Sequence, residues 1–397
     1  MKRGSREQFV LADHFFLNTY KRFPVLFVKG KGQYLWDQHQ KKYLDFFSGL
    51  GVCSLGHCHQ LVAKAICRQA FTLLHVSNLY YCQPQIELAG ELSGRFGGQG
   101  KVFFSNSGAE ANEGAIKLAR KWGNPQGKNA IISFENSFHG RTLAALAATG
   151  QKKFHQGFQP LPGGFVYARF NDLNSVEKLI GKKTCAIIVE PIQGEGGVNP
   201  ANPKFLAGLR KICQRKKILL IFDEIQCGVG RSGRFFAYEH YKVKPDIVTL
   251  AKGIAGGLPL GVTIAGKEIA AAFQPGDHGS TFGGNPVSCV AALVVIKTID
   301  RKFLQNVQTV GKYLTSQLGK LKKEFSFIHE IRGKGLMVGM ELTISGKEIV
   351  KQCLESGLII NCTREKVLRF LPPLIINKSD VDEALKIFRK CLSKQSV

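Results

Sequence analysis

ILLIFDEIQCGVGRSGRFFAYEHYKVKPDIVTLAK, residues 218–252, holds two short apolar runs, Ile218–Phe222 and Ile247–Leu250. Their length and β-branched content predict buried parallel strands rather than helices. The first run delivers Asp223, and the second delivers Lys252 two residues past its end. An acid and an amine therefore fall at the carboxyl ends of strands in one sheet. That edge is where open α/β sheets place their ligands.

Such a pair suits pyridoxal phosphate. A lysine condenses with its aldehyde, and a carboxylate holds the pyridinium proton so that the ring accepts carbanion electrons. Each residue alone has a plainer reading, Asp223 as the cap of a following helix and Lys252 as a solvated cation.

Outward from this stretch, the strand–helix alternation runs back to residue 101. Lys101–Phe104 reads as a strand entering SNSGAEANEGAIKLARKWG, residues 105–123. Its small residues lie where a helix begins, so the turn either holds a phosphate against the positive helix end or is an ordinary N-cap. Ala130–Phe134 leads to ENSFHGRTLAALAATG, residues 135–150, where Phe138 precedes Arg141 at a strand-to-helix turn. The aromatic could cover a planar cofactor, and the arginine could grip a carboxylate in a forked geometry. The plainer reading makes Phe138 core and Arg141 surface, although a cation in a first helical turn opposes the dipole. Cys185–Val189 reads as another strand, followed by a glycine-rich loop carrying Glu195, and Phe205–Lys217 as a crossover helix. This is the pattern of a mainly parallel sheet with helices on both faces.

After Lys252, the segments GIAGGLPLG and HGSTFGGNP read as loops, the second carrying Ser280 and Thr281 ahead of a helix near Pro286. Past residue 300 an amphipathic helix, Phe303–Glu324, precedes strands at 328–333, 336–342, 358–361 and 367–370, and a final helix begins at Ser379. Residues 13–54 read as a leading helix followed by a small sheet, with helices at 61–74 and 83–96 beyond it. The expected division is 1–55 as a segment contributing to the small domain, 56–300 as a large cofactor-binding domain, and 301–397 as a smaller α+β domain.

The 44% hydrophobic and 21% charged fractions exclude a disordered or fibrous chain. The net charge of +26 raises an acidic partner such as nucleic acid, anionic lipid or an acidic carrier protein. The basic residues are scattered, and the densest cluster, RKICQRKK at 210–217, sits where cations complement a helix carboxyl end. A generally basic, solvated surface is the reading preferred over a nucleic-acid site. Eleven cysteines without a C-x-x-C pair read as reduced thiols. His57-Cys58-His59 has no second ligand cluster nearby, so no metal is expected. The apolar stretch Phe9–Ala12 is too short for a signal peptide, and no apolar run approaches a membrane span. A cytoplasmic protein without a membrane partner is expected.

NSGAEANEGAIKLAR, FHGRTL, EPIQGEGGV, IFDEIQCGVGRSG, LAKGIAGGLPLG and GSTFGGNP, in that order, resemble the class III pyridoxal-phosphate aminotransferases. The resemblance spans nearly the whole chain. Together with FHGRT, GLGVCSLGHCH at residues 49–59 resembles the acetylornithine aminotransferases within that family. It implies a fold type I transferase: a seven-stranded, mainly parallel sheet flanked by helices, plus a smaller α+β domain. Lys252 would bear the cofactor and move the proton, while Asp223 would pair with the pyridine nitrogen and Gln226 with the ring hydroxyl. Phe138 and Ile225 would sandwich the ring. Ser107, Gly108 and Ala109 would hold the phosphate, with Thr281 supplied by the other subunit of a homodimer. Arg141, with Ser280 nearby, would bind the α-carboxylate of N-acetylornithine. Glu195 would mask Arg369, in VLRFLPP, until 2-oxoglutarate or glutamate enters. The tyrosine of ornithine δ-aminotransferases has no aromatic counterpart in GLGVCS, which argues against free ornithine. Carrier-linked amines and other class III donors remain alternatives, and so does a basic nucleic-acid-binding protein on an inactive version of the fold.

Overall fold

The computed structural model describes residues 5–395. Residues 1–4 and 396–397, at the outer ends of the expected first and third spans, lie outside the described residues.

Seven strands form the central sheet: β1 Gly100–Ser105, β2 Ala130–Phe134, β3 Phe165–Ala168, β4 Thr184–Val189, β5 Leu219–Asp223, β6 Ile247–Leu250 and β7 Gly261–Gly266. Their spatial order is β1-β7-β6-β5-β4-β2-β3. Strands β6, β5, β4, β2 and β3 run parallel, and β7 alone is reversed, antiparallel to both β6 and β1. The two strands of the opening stretch are neighbours, with Asp223 opposite Thr249. All nine residues of β5 and β6 are buried, as continuous apolar runs in a parallel sheet require.

Two of these strands went unseen in the sequence. β7 begins on the last residue of the loop read at 253–261, and its short run Val262–Ala265, directly after Gly256, Gly257, Pro259 and Gly261, does not stand out as a strand. β3 is an edge strand with exposed Val166 and Tyr167, so it shows no clear apolar period.

Helix Gly108–Gly123 buries Ala111, Ala115, Ile116, Leu118 and Ala119 on one sheet face. Helix Pro203–Lys216 starts with Asn202 as its cap and ends on Lys217 in the left-handed region, turning the chain directly into β5. A second apolar core surrounds an antiparallel sheet of Ile328–Lys334, Met337–Leu342, Val367–Phe370 and Asn361–Thr363. Helices Arg301–Glu324 and Lys378–Leu392 cover it, together with Lys347–Glu355, which the sequence pattern had not revealed. The predicted strand at 358–361 divides in two, and its first half pairs in parallel with Lys42–Asp45 of the amino-terminal sheet. Leu44 and Phe46 accordingly share an apolar cluster with Leu358 and Phe370. The leading helix runs over Ser5–Phe15, upstream of the position expected for it.

Candidate active site

Asp223 is the fixed point of the cavity at the carboxyl edge of the sheet. It is 3% exposed, and its Oδ2 accepts from Asn112 Nδ2 at 2.8 Å and from His139 Nδ1 at 2.7 Å. Its Oδ1 accepts from the Ile225 amide at 3.0 Å. Asn112 also donates to the His139 carbonyl at 2.7 Å and accepts from the Thr249 hydroxyl at 2.8 Å. The acid is thus held from behind by three donors, while a carboxylate has acceptor capacity for one further donor.

Lys252 follows β6 with φ +46, in the left-handed region, at the start of a 3₁₀ turn. Burial pushes its amine below the ordinary lysine range, the nearby Arg369 charge adds to this, and Glu195 and Asp223 oppose it. A lysine poised toward its neutral form can act as a nucleophile and a base.

On the neighbouring elements, Ser107 caps helix Gly108–Gly123 by accepting from the Glu110 amide at 3.2 Å. A Cβ on Gly108 would sit 2.8 Å from Ile225 Cγ2, so only glycine lets the helix start meet the residue after β5 this closely. Gly140, with φ +146, stands in the same relation to Ala109, where a Cβ would fall 2.8 Å from the alanine Cβ. These contacts bring the helix start to the acid and the amine, giving a ready anion site.

On the substrate side, Arg369 is fully buried and spends its donors locally. Nη1 donates to Glu195 Oε1 at 2.6 Å and Gln226 Oε1 at 3.1 Å, and Nε donates to Asn361 at 3.0 Å. Its Nη2 is buried with no partner among the described residues. Burial alone would raise the Glu195 carboxyl, but Arg369, helped by Lys252, holds it below the usual range. Gly194 makes this packing possible, since a Cβ there would lie 2.3 Å from Gln226 Oε1. Arg141 is exposed, just ahead of the short helix Leu143–Ala148, and stacks over Phe154 at 4.0 Å and Phe138 at 5.6 Å.

Of the residues singled out from the sequence, Ser107, Gly108, Ala109, Phe138, Arg141, Glu195, Asp223, Ile225, Gln226 and Lys252 line one cavity of about 420 Å³. Arg369 stands immediately behind Glu195 and Gln226. Ser280 lies outside the lining but touches it, its hydroxyl accepting from Asn106 at 3.1 Å. Thr281 is exposed and is not brought to the cavity by this chain. Sequence reasoning passed over Asn112, His139 and Glu190. Glu190 lines the cavity, accepts from the Phe138 and Gly194 amides, and is pushed up to about 7 by burial. The one available signal was Asn112 itself, a residue type disfavoured inside helices. Among the described residues no cluster of three metal-ligating side chains is formed, and His57 instead pairs with Asp45 at 2.7 Å.

A desolvated amine, an acid with spare acceptor capacity and a glycine-cradled helix start fit pyridoxal 5′-phosphate. The comparisons agree. The family model described as aminotransferase class-III matches residues 15–392. An acetylornithine aminotransferase of Aquifex aeolicus (strain VF5) is 53% identical over 380 residues, covering 95% of this chain and 100% of that protein. One of Methanocaldococcus jannaschii is 51% identical, covering 95% and 96%. Among solved structures, an ornithine aminotransferase of Toxoplasma gondii with partial occupancy of PLP at its active site aligns with a TM-score of 0.94. Its identity is 33%, with 98% of this chain and 94% of that chain covered. With its fold, its site and its relatives in accord, the chain belongs to the class-III aminotransferases and works with pyridoxal 5′-phosphate.

Proposed function

We propose that the enzyme transaminates N2-acetyl-L-ornithine with 2-oxoglutarate, giving N-acetyl-L-glutamate 5-semialdehyde and L-glutamate, a step of arginine biosynthesis. The observation carrying this reading is the buried Arg369–Glu195 pair beside Lys252, with one guanidinium nitrogen unused. A site that must accept two dissimilar substrates in turn needs a cation that can be covered for one and freed for the other. Val52, from GLGVCS, lines the cavity where no aromatic narrows it, which supports an acylated donor over free ornithine. The names of the relatives point the same way.

Bound pyridoxal phosphate supplies an electron sink for the pair left when the substrate carbon loses its proton. The remaining work belongs to the chain. Lys252 Nζ takes that proton and returns it. Asp223, steadied by Asn112 and His139, would hold the proton on the ring nitrogen. Gln226 spends its oxygen on Arg369 and turns an amide N–H toward Glu195, which would leave its other N–H for the ring hydroxyl. Phe138 and Ile225, both in the cavity lining, would pack against the ring, and the amides of Ser107, Gly108 and Ala109 would hold the phosphate. Arg141 receives the α-carboxylate, with Ser280 close by, and Arg369 receives the second carboxylate of glutamate once Glu195 withdraws.

A homodimer that shares its sites follows from the same reading, with Thr281 reaching the phosphate of the other copy. Phe71, Leu79, Tyr81 and Leu17 are 84–95% exposed, more large apolar surface than a monomer keeps in water. Eleven free cysteines support a reducing, cytoplasmic setting, and among the described residues no helix is long and apolar enough to cross a membrane. The separate apolar cores support a division near residues 55 and 300.

Steady-state turnover across acetylornithine, succinylornithine, succinyl-diaminopimelate, ornithine and 4-aminobutyrate tests the assignment. The highest kcat/KM is expected for acetylornithine, and a preference for ornithine or 4-aminobutyrate overturns it.

A further inference from the structure

A groove larger than the cavity that holds Lys252 lies elsewhere on the same sheet. This groove, of about 1290 Å³, lies among Gly100, Asp246 and Gly266, where β1 and β6 begin and β7 ends. Ser105 and Gly261, at the other ends of β1 and β7, face the cofactor site. The six residues of β1 separate the two by roughly 20 Å at the rise of an extended strand.

Six cations line this groove: Lys101, Arg210, Lys211, Lys242, Lys244 and Lys267. Two acids, Asp246 and Glu268, accompany them. Asp246 is already committed, pairing with Arg210 at 2.9 Å and accepting from the Leu220 amide at 2.7 Å. A chain that reads along its sequence as diffusely basic is folded so that five lysines from four separate segments converge on one concavity. Like charges gathered this way repel one another, so the groove's electrostatics favour an anionic occupant.

The chemistry narrows that occupant. The single arginine pairs with Asp246 through Nη1 and has its Nε buried away from the groove, so it cannot offer a full fork for bidentate grip of a carboxylate, and lysines act as point charges toward phosphate. Lys244 already covers Phe96, the only aromatic of the lining, at 4.7 Å, leaving no platform on which bases could stack. The recess is concave rather than flat, which suits neither a bilayer nor the broad cylinder of a duplex. The volume exceeds that of ordinary single-ligand pockets. We infer that this groove binds a linear chain of anhydride-linked phosphates, inorganic polyphosphate, at a site separate from the active site.

The test uses the full-length, cofactor-loaded enzyme and inorganic polyphosphate of graded length, with binding followed by fluorescence anisotropy over a salt series. Two triple variants are compared, Lys211→Gln/Lys242→Gln/Lys267→Gln in the groove, and Lys320→Gln/Lys386→Gln/Lys390→Gln on the remote helices Arg301–Glu324 and Lys378–Leu392. All six side chains are exposed, so both variants should fold, and transaminase activity reports that they have. The groove triple should weaken binding at least tenfold at moderate salt and lower the slope of log K against log salt by about 2, with the remote triple near wild type. Equal losses from both triples would mean diffuse surface charge and overturn the site. Polyaspartate or duplex DNA of matched charge binding as tightly as polyphosphate would overturn the ligand, and no binding at all would overturn both.

Discussion

Arg369 Nη1 lies 2.6 Å from Glu195 Oε1, with the guanidinium wholly buried and the carboxylate 27% exposed. The asymmetry decides which partner can leave. Arg369 is fixed in a strand by Asn361 and Gln226, whereas Glu195 sits in a loop and can turn toward water at modest cost. Replacing Glu195 by Gln removes the competing charge. It should lower KM for glutamate several-fold and leave KM for acetylornithine unchanged or raised. Arg369→Lys should reduce kcat/KM for 2-oxoglutarate about 100-fold or more, as expected for losing a buried charge-assisted contact, with the acetylornithine half-reaction much less affected. Stopped-flow measurement of the separated half-reactions distinguishes these outcomes.

Asp223→Asn keeps the shape of the site but places an amide where Asn112 and His139 both donate to Oδ2. It removes the charge facing the ring nitrogen and sets donor against donor. Turnover should fall on the order of 100- to 1000-fold, and cofactor should be lost more readily on dialysis, read from visible absorbance. Asn112→Ala should give a milder version of both effects, because it deletes the support and not the acid.

Lys252→Ala should abolish turnover while the protein still folds and retains cofactor by its phosphate contacts. Full activity in that variant would refute the assigned role. In the cofactor-free enzyme the lowered amine pKa sets an acid limb: the rate at which added pyridoxal phosphate condenses with Lys252 should fall as pH drops and the amine takes up a proton. Because Arg369 adds to the depression, Arg369→Gln should shift that limb to higher pH.

Glu224, buried behind the site and accepting from the Ala237 and Tyr238 amides, is pushed up to about 8 by burial. Between its ordinary value of 4.5 and about 8 the folded chain therefore holds a proton that the unfolded chain has released. Stability must fall as pH rises through that window, by up to about 5 kcal/mol, and Glu190 contributes with the same sign. Thermal denaturation from pH 5 to 8 should show a declining Tm, and Glu224→Gln should flatten the decline whatever its effect on the absolute Tm.

How much of this was legible in advance varied with the range of the interaction. Asp223 and Lys252 could be placed because each terminates an apolar run, a property of a few adjacent residues. The resemblance supplied Glu195 and Arg369, although they meet across 174 positions of sequence. Asn112 left almost no trace. Its partners lie 111 and 137 residues away, and nothing in a helical period announces a side chain that will satisfy a distant acid. Strand β7 was hidden for a local reason, since Gly261, which lets it approach Ser105 and Ser107, is a residue that weakens a strand pattern. The basic groove was hidden by folding itself, which gathers lysines that the sequence had spread apart.

Asn112 joins the helix facing the phosphate position to the two strands that supply acid and amine, through bonds made entirely within the chain. The cofactor's recognition groups thus need no ligand to assemble them. Binding then forfeits little conformational entropy, and the affinity it yields goes largely to holding the ring in one attitude. An empty enzyme should accept its cofactor as a rigid socket does, quickly and without refolding.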